Sequence, residues 1–237
     1  RFDDQQSRHQ PRPVGIALDE RERIFVSDAD LHAVFCFGSD GEVLLALGRE
    51  QGMKSPAGLA IDRKRHRLYV SDSHLHQILV YDTDGSFVGT WGSRGPGPAQ
   101  FNYPTNLAVD RDGNLYVVDT GNFRIQILDP DGNALSSFGQ AGDSPGDFHR
   151  PKGIALDSEG HVYVADAAYN NFQIFDREGR LLLFVGAVGT VPGAFSLPAA
   201  IHIDGNDRIF VADQLNRRVQ VFQYLKDGTE KPGGQNP

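Results

Sequence analysis

Histidine side chains occur at two kinds of position where their spacing could support chemistry. His74 and His76 form a His-x-His pair, and His32 lies in a similar loop, SDADLH against SDSHLH. Imidazoles in such a set can bind a transition metal, but histidines in exposed loops usually bind none, so we predict no metal here. His202 replaces an alanine found at the same place in other copies of a repeat, and with Asn106 it is the candidate for chemistry beside a central channel.

Aspartate recurs at two regularly spaced positions along the chain. One set ends the first strand of each repeat and opens a tight turn such as DRDGN. The second set ends the next strand, where a carboxylate could join a ring of cation ligands or accept the free N–H groups of the following turn. Because the turn is present in every copy, we predict a structural role. This second set consists of Asp28, Asp72, Asp119, Asp166 and Asp213.

The sequence lacks the motifs of nucleophilic and haem chemistry. It contains no CxxCH for a covalent haem and no nucleophile elbow. The single cysteine, Cys36, lies in an apolar run, VFCFG, where other repeats have valine or isoleucine, which predicts a buried core residue. One cysteine cannot form an intramolecular disulfide, and that leaves the cellular compartment open. We predict no catalytic residue and no cofactor.

Short β-strands must position these side chains. Residues 104–139 contain four apolar runs separated by Asp, Gly and Pro turns: Asn106–Val109, Leu115–Val118, Ile125–Leu128 and Ala134–Phe138. A lone four-stranded meander has open faces and edges and is not stable by itself. The same unit is repeated along the chain, so neighbouring copies can pack against one another. The copies begin at Pro13, Pro56, Pro104, Pro151 and Pro198.

The connectors and the last repeat give further predictions. Later connectors share a glycine-rich bend and a phenylalanine three residues before the next proline. We predict that these rings, Phe101, Phe148 and Phe195, fill the gap between neighbouring sheets. The fifth repeat has three strand-like runs, Ala200–Ile203, Ile209–Ala212 and Val219–Phe222. Propellers commonly complete such a blade with a strand from the other end of the chain, so we expect an upstream strand, or a blade of about 45 residues, in the intact protein.

The bulk properties fit one domain. We predict a lead-in over residues 1–12, a β-propeller domain over 13–225 and a flexible tail over 226–237 of the 237 residues. The formal net charge of −8 counts against nucleic-acid binding. No apolar run reaches the roughly 18 residues that a membrane span needs. The chain begins with Arg1, and we expect that preceding residues have been removed.

The repeat resembles that of the NHL family of β-propellers, whose pattern is P-x-G-[IV]-A-[VL]-D, then [ILV]-[YF]-V-x-D, then N-x-R-[IV]-x-[VI]-F. The segments RPKGIALD, HVYVAD, TGNFRIQIL and QLNRRVQVF carry the likeness, which covers nearly the whole chain. It implies an all-β NHL-type β-propeller of four-stranded antiparallel blades around a channel, with five repeats present and six blades in the intact protein. The Asn-x-Arg element is intact only at Asn122/Arg124 and Asn216/Arg218.

A narrower resemblance concerns location and partner. Phrases such as FHRPKGIALDSEGHVYVADAAYNNFQIFD and NRRVQVFQYL are similar to exported bacterial NHL propellers associated with multihaem cytochromes. This resemblance implies a periplasmic, outer-membrane-associated or extracellular protein, with a lipid anchor upstream. It also implies a protein partner, specifically a multihaem cytochrome. The acidic net charge leads us to expect no nucleic-acid partner.

In a propeller, the loops between second and third strands and the connectors between blades emerge on one side, called the loop face below. This face is rich in Arg, Tyr and Asn, which protein interfaces favour. We therefore predict a non-enzymatic binding or scaffold propeller that docks a protein partner there. The alternatives are a propeller lyase or lactonase acting at the channel and an RNA-binding NHL propeller. The predicted loop-face residues are His32, His74, His76, Phe123, Arg124, Tyr169, Asn170, Asn171, Asn216, Arg217 and Arg218.

Overall fold

The computed structural model describes residues 10–224, which form β-strands, turns and a short 3-10 helix. The strands group into consecutive antiparallel sheets, or blades, in chain order. Within this range blades 1 to 4 have four strands and blade 5 has three. The protein is an all-β propeller, as the sequence predicts. Residues 1–9 of the predicted lead-in, Leu225 and the predicted tail over 226–237 lie outside the described residues.

The first strand of each of the first two blades begins at a predicted proline. Blade 1 contains β1 (Pro13–Leu18), β2 (Ile24–Asp28), β3 (Ala33–Phe37) and β4 (Val43–Leu47). Blade 2 contains β5 (Pro56–Asp62), β6 (Arg67–Asp72), β7 (Gln77–Asp82) and β8 (Phe87–Trp91). The next connector holds two short parallel strands, β9 (Ser93–Arg94) and β10 (Gln100–Phe101).

The later blades repeat this order. Blade 3 contains β11 (Pro104–Val109), β12 (Leu115–Asp119), the 3-10 helix (Thr120–Asn122), β13 (Arg124–Leu128) and β14 (Ala134–Phe138). Blade 4 contains β15 (Pro151–Leu156), β16 (Val162–Asp166), β17 (Asn171–Phe175) and β18 (Leu181–Val185). Blade 5 contains β19 (Pro198–Ile203), β20 (Arg208–Asp213) and β21 (Arg218–Gln223).

The inner strand of every blade has the same irregularity next to its starting proline. Pairing with the second strand shifts between Pro13 and Gly15 in blade 1 and between Pro151 and Gly153 in blade 4, with equivalent shifts in the other blades. Such β-bulges twist a strand and re-aim a side chain. In β15 the shift between Pro151 and Gly153 places the bulge at Lys152, beside the axis of the propeller.

The core lies between blades rather than within them. Phe101, Phe148 and Phe195 are fully buried against strands of the two blades that each connector joins, which confirms their predicted role. Met53 takes the same position in the first connector, three residues before Pro56, and is 3% exposed. Cys36 is also fully buried, as predicted. Aromatic or thioether groups thus fill each of the four gaps between described blades.

The inner strands β1, β5, β11, β15 and β19 pack side by side in that order around a channel. Small and aliphatic side chains such as Ala60, Ala108 and Ala155 line a cavity of about 590 Å³ inside it. His202 also lines this cavity, and its ring lies 6.2 Å from that of Phe210. No helix within residues 10–224 has the length and apolar character needed to cross a bilayer.

The two end blades expose faces that are buried elsewhere. Ile16 on β1 is 66% exposed, whereas the equivalent Leu59 and Ile154 on inner strands are 6% and 4% exposed. Val219 on β21 is 61% exposed, whereas the equivalent Ile125 on β13 is fully buried. In the described range, β1 and β19 also lack the close packing seen between the other neighbouring inner strands. An apolar wedge therefore separates blade 5 from blade 1.

Candidate functional site

The loop between the second and third strands ends in the same backbone conformation in each described blade. His32, His76, Phe123, Asn170 and Arg217 all have φ between 53° and 57°, in the left-handed region. Where the side chain is polar it often reaches the next connector. The Tyr103 N–H donates to His76 Nδ1 at 3.0 Å, the Leu197 N–H donates to Asn170 Oδ1 at 2.9 Å, and His32 contacts the Lys54 carbonyl. This position therefore latches one blade to its neighbour.

His76 is only 7% exposed, and its ring packs 4.7 Å from that of Tyr103. The expectation of a surface position for this residue is wrong, because the latch draws its imidazole into the interblade contact. Burial lowers its pKa, and the nearby cation Arg94 adds to that effect. His32 and His74 remain on the surface. The three histidines of the sequence motif are therefore used differently, although their loops are alike.

The aspartates that end the second strands accept hydrogen bonds from the loop face. Asp72 accepts the N–H groups of Lys54, Ser55, His74 and Leu75. Asp166 accepts the equivalent four from His149, Arg150, Ala168 and Tyr169. Asp28 accepts two, from Asp30 and Leu31. The bonds of Asp72 and Asp166 join their loops to the preceding connectors, and those of Asp28 hold its own loop, which is what a structural role requires.

The intact Asn-x-Arg elements clamp two connectors. Arg124 donates to Asp119 and to the carbonyls of Gly97 and Gln100. Arg218 makes the equivalent bonds to Asp213 and to the carbonyls of Thr190, Val191 and Ala194. Each asparagine donates to the aspartate of its own blade and to a connector carbonyl, Asn122 to Asp119 and Asn216 to Asp213. Arg124, Asn216 and Arg218 therefore spend most of their donors inside the protein, and their role in docking a partner stays a prediction.

The remaining predicted loop-face residues are partly available. Tyr169 is half-buried, and its hydroxyl donates to Asp143, which raises the pKa of Tyr169 to about 12. Phe123 is half-buried within the interblade core. Asn171 is half-buried with a side-chain oxygen that has no partner. Arg217 is exposed at the edge of blade 5.

Sequence reasoning missed several exposed apolar side chains of this face. Tyr103 is 51% exposed, Val188 76%, Val191 65% and Leu215 59%. All lie in connectors or in the loop that the connector contacts, since the Leu215 N–H donates to the Ser196 carbonyl. An apolar residue in a glycine-rich connector could have indicated an exposed contact. The sequence analysis instead predicted that the connectors pack between the blades.

The channel opens on the loop face into a cavity of about 560 Å³. Its described lining includes the cations Arg12, Arg150 and Lys152 but no aspartate or glutamate. Asn106 also lines it, with its Oδ1 accepting the Leu107 N–H at 3.1 Å. Asn106 and His202 additionally line a smaller depression of about 340 Å³ along the inner strands. The two predicted channel residues thus border one shared depression.

The opposite face is acidic. A cleft of about 280 Å³ is lined there by Arg111, Arg177 and several turn aspartates. These aspartates are Asp110, Asp112, Asp157, Asp204 and Asp207. Several of these carboxylates accept turn N–H groups, such as those of Asp112 and Asn114 at Asp110. Among residues 10–224 no group of three or more His, Cys, Asp or Glu side chains has a geometry suited to a metal ion.

Comparisons with known proteins agree with this architecture. A family model described as a 6-bladed beta-propeller matches residues 60–129, which defines the class as a β-propeller. A model of the NHL repeat matches residues 148–175. The chain is therefore a β-propeller that contains an NHL repeat. No curated protein matches the sequence.

Solved structures share the fold at low identity. Virginiamycin B lyase from Staphylococcus aureus is 13% identical, with a TM-score of 0.66 over 91% of this chain and 71% of that chain. A gluconolactonase from Xanthomonas campestris, XC5397, is 22% identical, with a TM-score of 0.67 over 91% and 73%. A chain of a nidogen/laminin complex is 20% identical, with a TM-score of 0.63 over 90% and 80%. Likeness at these identities shows the fold alone.

Proposed function

We propose that this protein is a non-enzymatic binding propeller that docks a protein partner through its loop face. The observation that carries the proposal is the exposure of Tyr103, Val188, Val191 and Leu215 on that face. Large apolar side chains in water mark interaction sites when they cluster on one side of a molecule. The connectors that hold them are fixed by the Asp119 and Asp213 clamps, so little ordering entropy is lost on docking.

Location and partner identity are part of the same proposal. We infer an exported protein, periplasmic, outer-membrane-associated or extracellular, whose partner is a multihaem cytochrome. The support is the sequence resemblance to exported NHL propellers. The nidogen/laminin complex is a case in which a chain of similar fold occurs in a protein assembly.

The second candidate is an enzyme at the channel. Asn106 and His202 border the same depression, and the structures with a similar fold include a lyase and a gluconolactonase. A histidine and an amide could serve there as general base and oxyanion donor. In the docking proposal these two side chains have no catalytic role.

Chemical cross-linking in an extract of the source organism tests the docking proposal. The double variant Val188→Asp/Leu215→Asp changes the exposed loop face, and Leu135→Asp/Leu182→Asp changes side chains on outer strands that are more than half exposed. We expect one discrete partner to be captured by the wild type and the control but lost from the loop-face variant, with haem absorbance if it is a cytochrome. Equal capture by both variants contradicts the proposal.

Enzyme assays of channel variants and an RNA-retention assay distinguish the alternatives. His202→Ala and Asn106→Ala should leave partner capture intact. Loss of a lyase or lactonase activity in these variants would favour the channel enzyme. RNA that is retained and then released by salt would favour the RNA-binding alternative.

A further inference from the structure

Lys152 stands out among the residues at the loop-face mouth of the channel. It occupies the β-bulge of β15, where the other blades have Val14, Ala57, Thr105 and Ala199. The bulge leaves this residue outside regular pairing, and its side chain lines the mouth. A long cationic side chain therefore takes a place that small or apolar groups fill in the other described blades.

The charge on Lys152 is not neutralised by the protein. Its side chain is half-buried, and within residues 10–224 its ammonium group has no hydrogen bond or ion pair. Burial lowers the pKa of Lys152, and Arg150 adds to the effect. Placing a cation in a partly desolvated position costs free energy unless an anion accompanies it. The described mouth lining contains no carboxylate that could do so.

The surroundings add donors and further positive charge. Asn106 lies on β11, next to β15, where the hydroxyl of Thr105 donates to the Lys152 carbonyl at 3.4 Å. The Asn106 Oδ1 accepts the Leu107 N–H, and within residues 10–224 the amide NH₂ of Asn106 has no hydrogen-bond partner. Arg150 is exposed at the rim. Arg12 also lines the mouth and pairs with Asp30.

We propose that the loop-face mouth binds a small molecule through a carboxylate or phosphate group held by the Lys152 ammonium and the Asn106 amide, with Arg150 at the rim. The cavity of about 560 Å³ has the size of small-molecule sites. The site is distinct from the exposed apolar residues of the docking proposal, so either can fail without the other.

The decisive variants are Lys152→Met, which keeps the length of the side chain and removes its charge, and Lys64→Met as the control. Lys64 lies on the opposite face, where its ammonium donates to the Arg111 carbonyl. Lysines are labelled by reductive ¹³C-methylation, and the Lys152 signal is identified by its absence from Lys152→Met. Inorganic phosphate and acetate are the probes, each added at constant ionic strength against chloride.

We expect saturable shifts of the Lys152 signal with phosphate, acetate or both, and a rise of its pKa on binding. Calorimetry should show binding weakened at least about tenfold in Lys152→Met and unchanged in Lys64→Met, because a charge-assisted hydrogen bond is lost. The stronger of the two probes identifies the anionic group. Equal binding to Lys152→Met, or no saturable response to either probe, overturns the proposal. Loss of the cross-linked protein partner from Lys152→Met without any small-anion binding also overturns it.

Discussion

At the scale of single residues, the last residue of each loop between the second and third strands has a positive φ, and different side chains occupy this position. Asparagine adopts this conformation readily, and its Oδ1 in Asn170 accepts the same kind of bond that His76 Nδ1 accepts. The bond to His76 requires an unprotonated Nδ1, so its ring must be neutral in the folded protein. Folding and protonation of His76 are therefore coupled.

This coupling predicts a pH dependence. Because the pKa of His76 is lowered in the folded state, the unfolded chain, with a pKa of about 6.5, binds the proton first as pH falls. The contribution of His76 to stability is complete above about pH 6.5 and declines below it, by at most about 1.4 kcal/mol per pH unit. His76→Asn should retain the latch and flatten this slope in urea unfolding. His74→Asn is the exposed control. A slope unchanged in His76→Asn would show that the latch does not titrate.

A second residue-scale prediction concerns the buried carboxylate of Asp119. It accepts the Asn102 N–H at 2.6 Å and side-chain donors from Asn122, Arg124 and Gln126. Asp119→Ala leaves the guanidinium of Arg124 without its counter-charge and should cost about 3–5 kcal/mol of unfolding free energy. Arg124→Met should cost less, about 1–3 kcal/mol, because the carboxylate keeps its other donors.

The matched control for the Asp119 series is Arg180→Met. Arg180 pairs with Asp176 on the surface, where its side chain is 76% exposed. Loss of an exposed pair should leave the chemical unfolding midpoint nearly unchanged. Similar losses in Asp119→Ala and Arg180→Met would contradict the clamp.

At the scale of elements, the connectors hold the blades together because each carries one buried side chain that fills the gap between two blades. These side chains, Met53, Phe101, Phe148 and Phe195, are called plugs below. The glycine that precedes each plug makes room for it. In the third connector, Gly139 has a φ of 87°, and a Cβ atom there would overlap the Phe148 ring. The phenylalanine, its glycine and the following proline therefore form one packing unit that sets the distance between blades.

Truncating one buried connector ring should show whether it stabilises the contact between blades more than an exposed ring stabilises the protein. Phe148→Ala removes a fully buried ring and should cost about 3–5 kcal/mol of unfolding free energy through lost contacts and the cavity left behind. Phe184→Ala, on the outer strand β18 and 54% exposed, should change stability by less than about 0.5 kcal/mol. Urea denaturation measures both. Equal effects would mean that the connector does not hold the blades together.

The elements were predictable because their signals are local, whereas the site was not. Apolar runs and Asp/Gly turns predicted the blade strands of the third and fifth repeats to within a few residues, but not the two short connector strands β9 and β10. Met53 was missed because its connector lacks the sequence of the others, although its distance to Pro56 is the same. The burial of His76, the clamps of Arg124 and Arg218, and the unpaired state of Lys152 depend on which connector lies beside each loop. Only the tertiary structure shows which connector that is.

At the scale of the whole molecule, charge is distributed unevenly between the two faces. The loop-face mouth carries Arg12, Arg150 and Lys152, whereas the lining of the cleft on the opposite face includes five turn aspartates and two arginines. A protein with a net charge of −8 thus gathers three cations at one end of its channel, of which Arg12 is paired with Asp30. The field of these cations draws small anions to that mouth and raises their association rate.

The end blades give a prediction about how the ring is completed. Ile16 and Val219 expose surface that neighbouring blades cover at Leu59 and Ile125, so the wedge between blades 1 and 5 fits the sixth blade that the sequence predicts. In this 237-residue chain, Ile16→Lys should preserve the unfolding free energy and reduce both hydrophobic-dye binding and self-association. Leu59→Lys places the same charge in a buried position and should unfold the protein. If Ile16→Lys proves as damaging as Leu59→Lys, something covers the wedge in solution, and blade 5 closing directly on blade 1 is the simplest arrangement. If a chain extended by a further blade makes only the extended form sensitive to Ile16→Lys, the wedge is the seat of that blade.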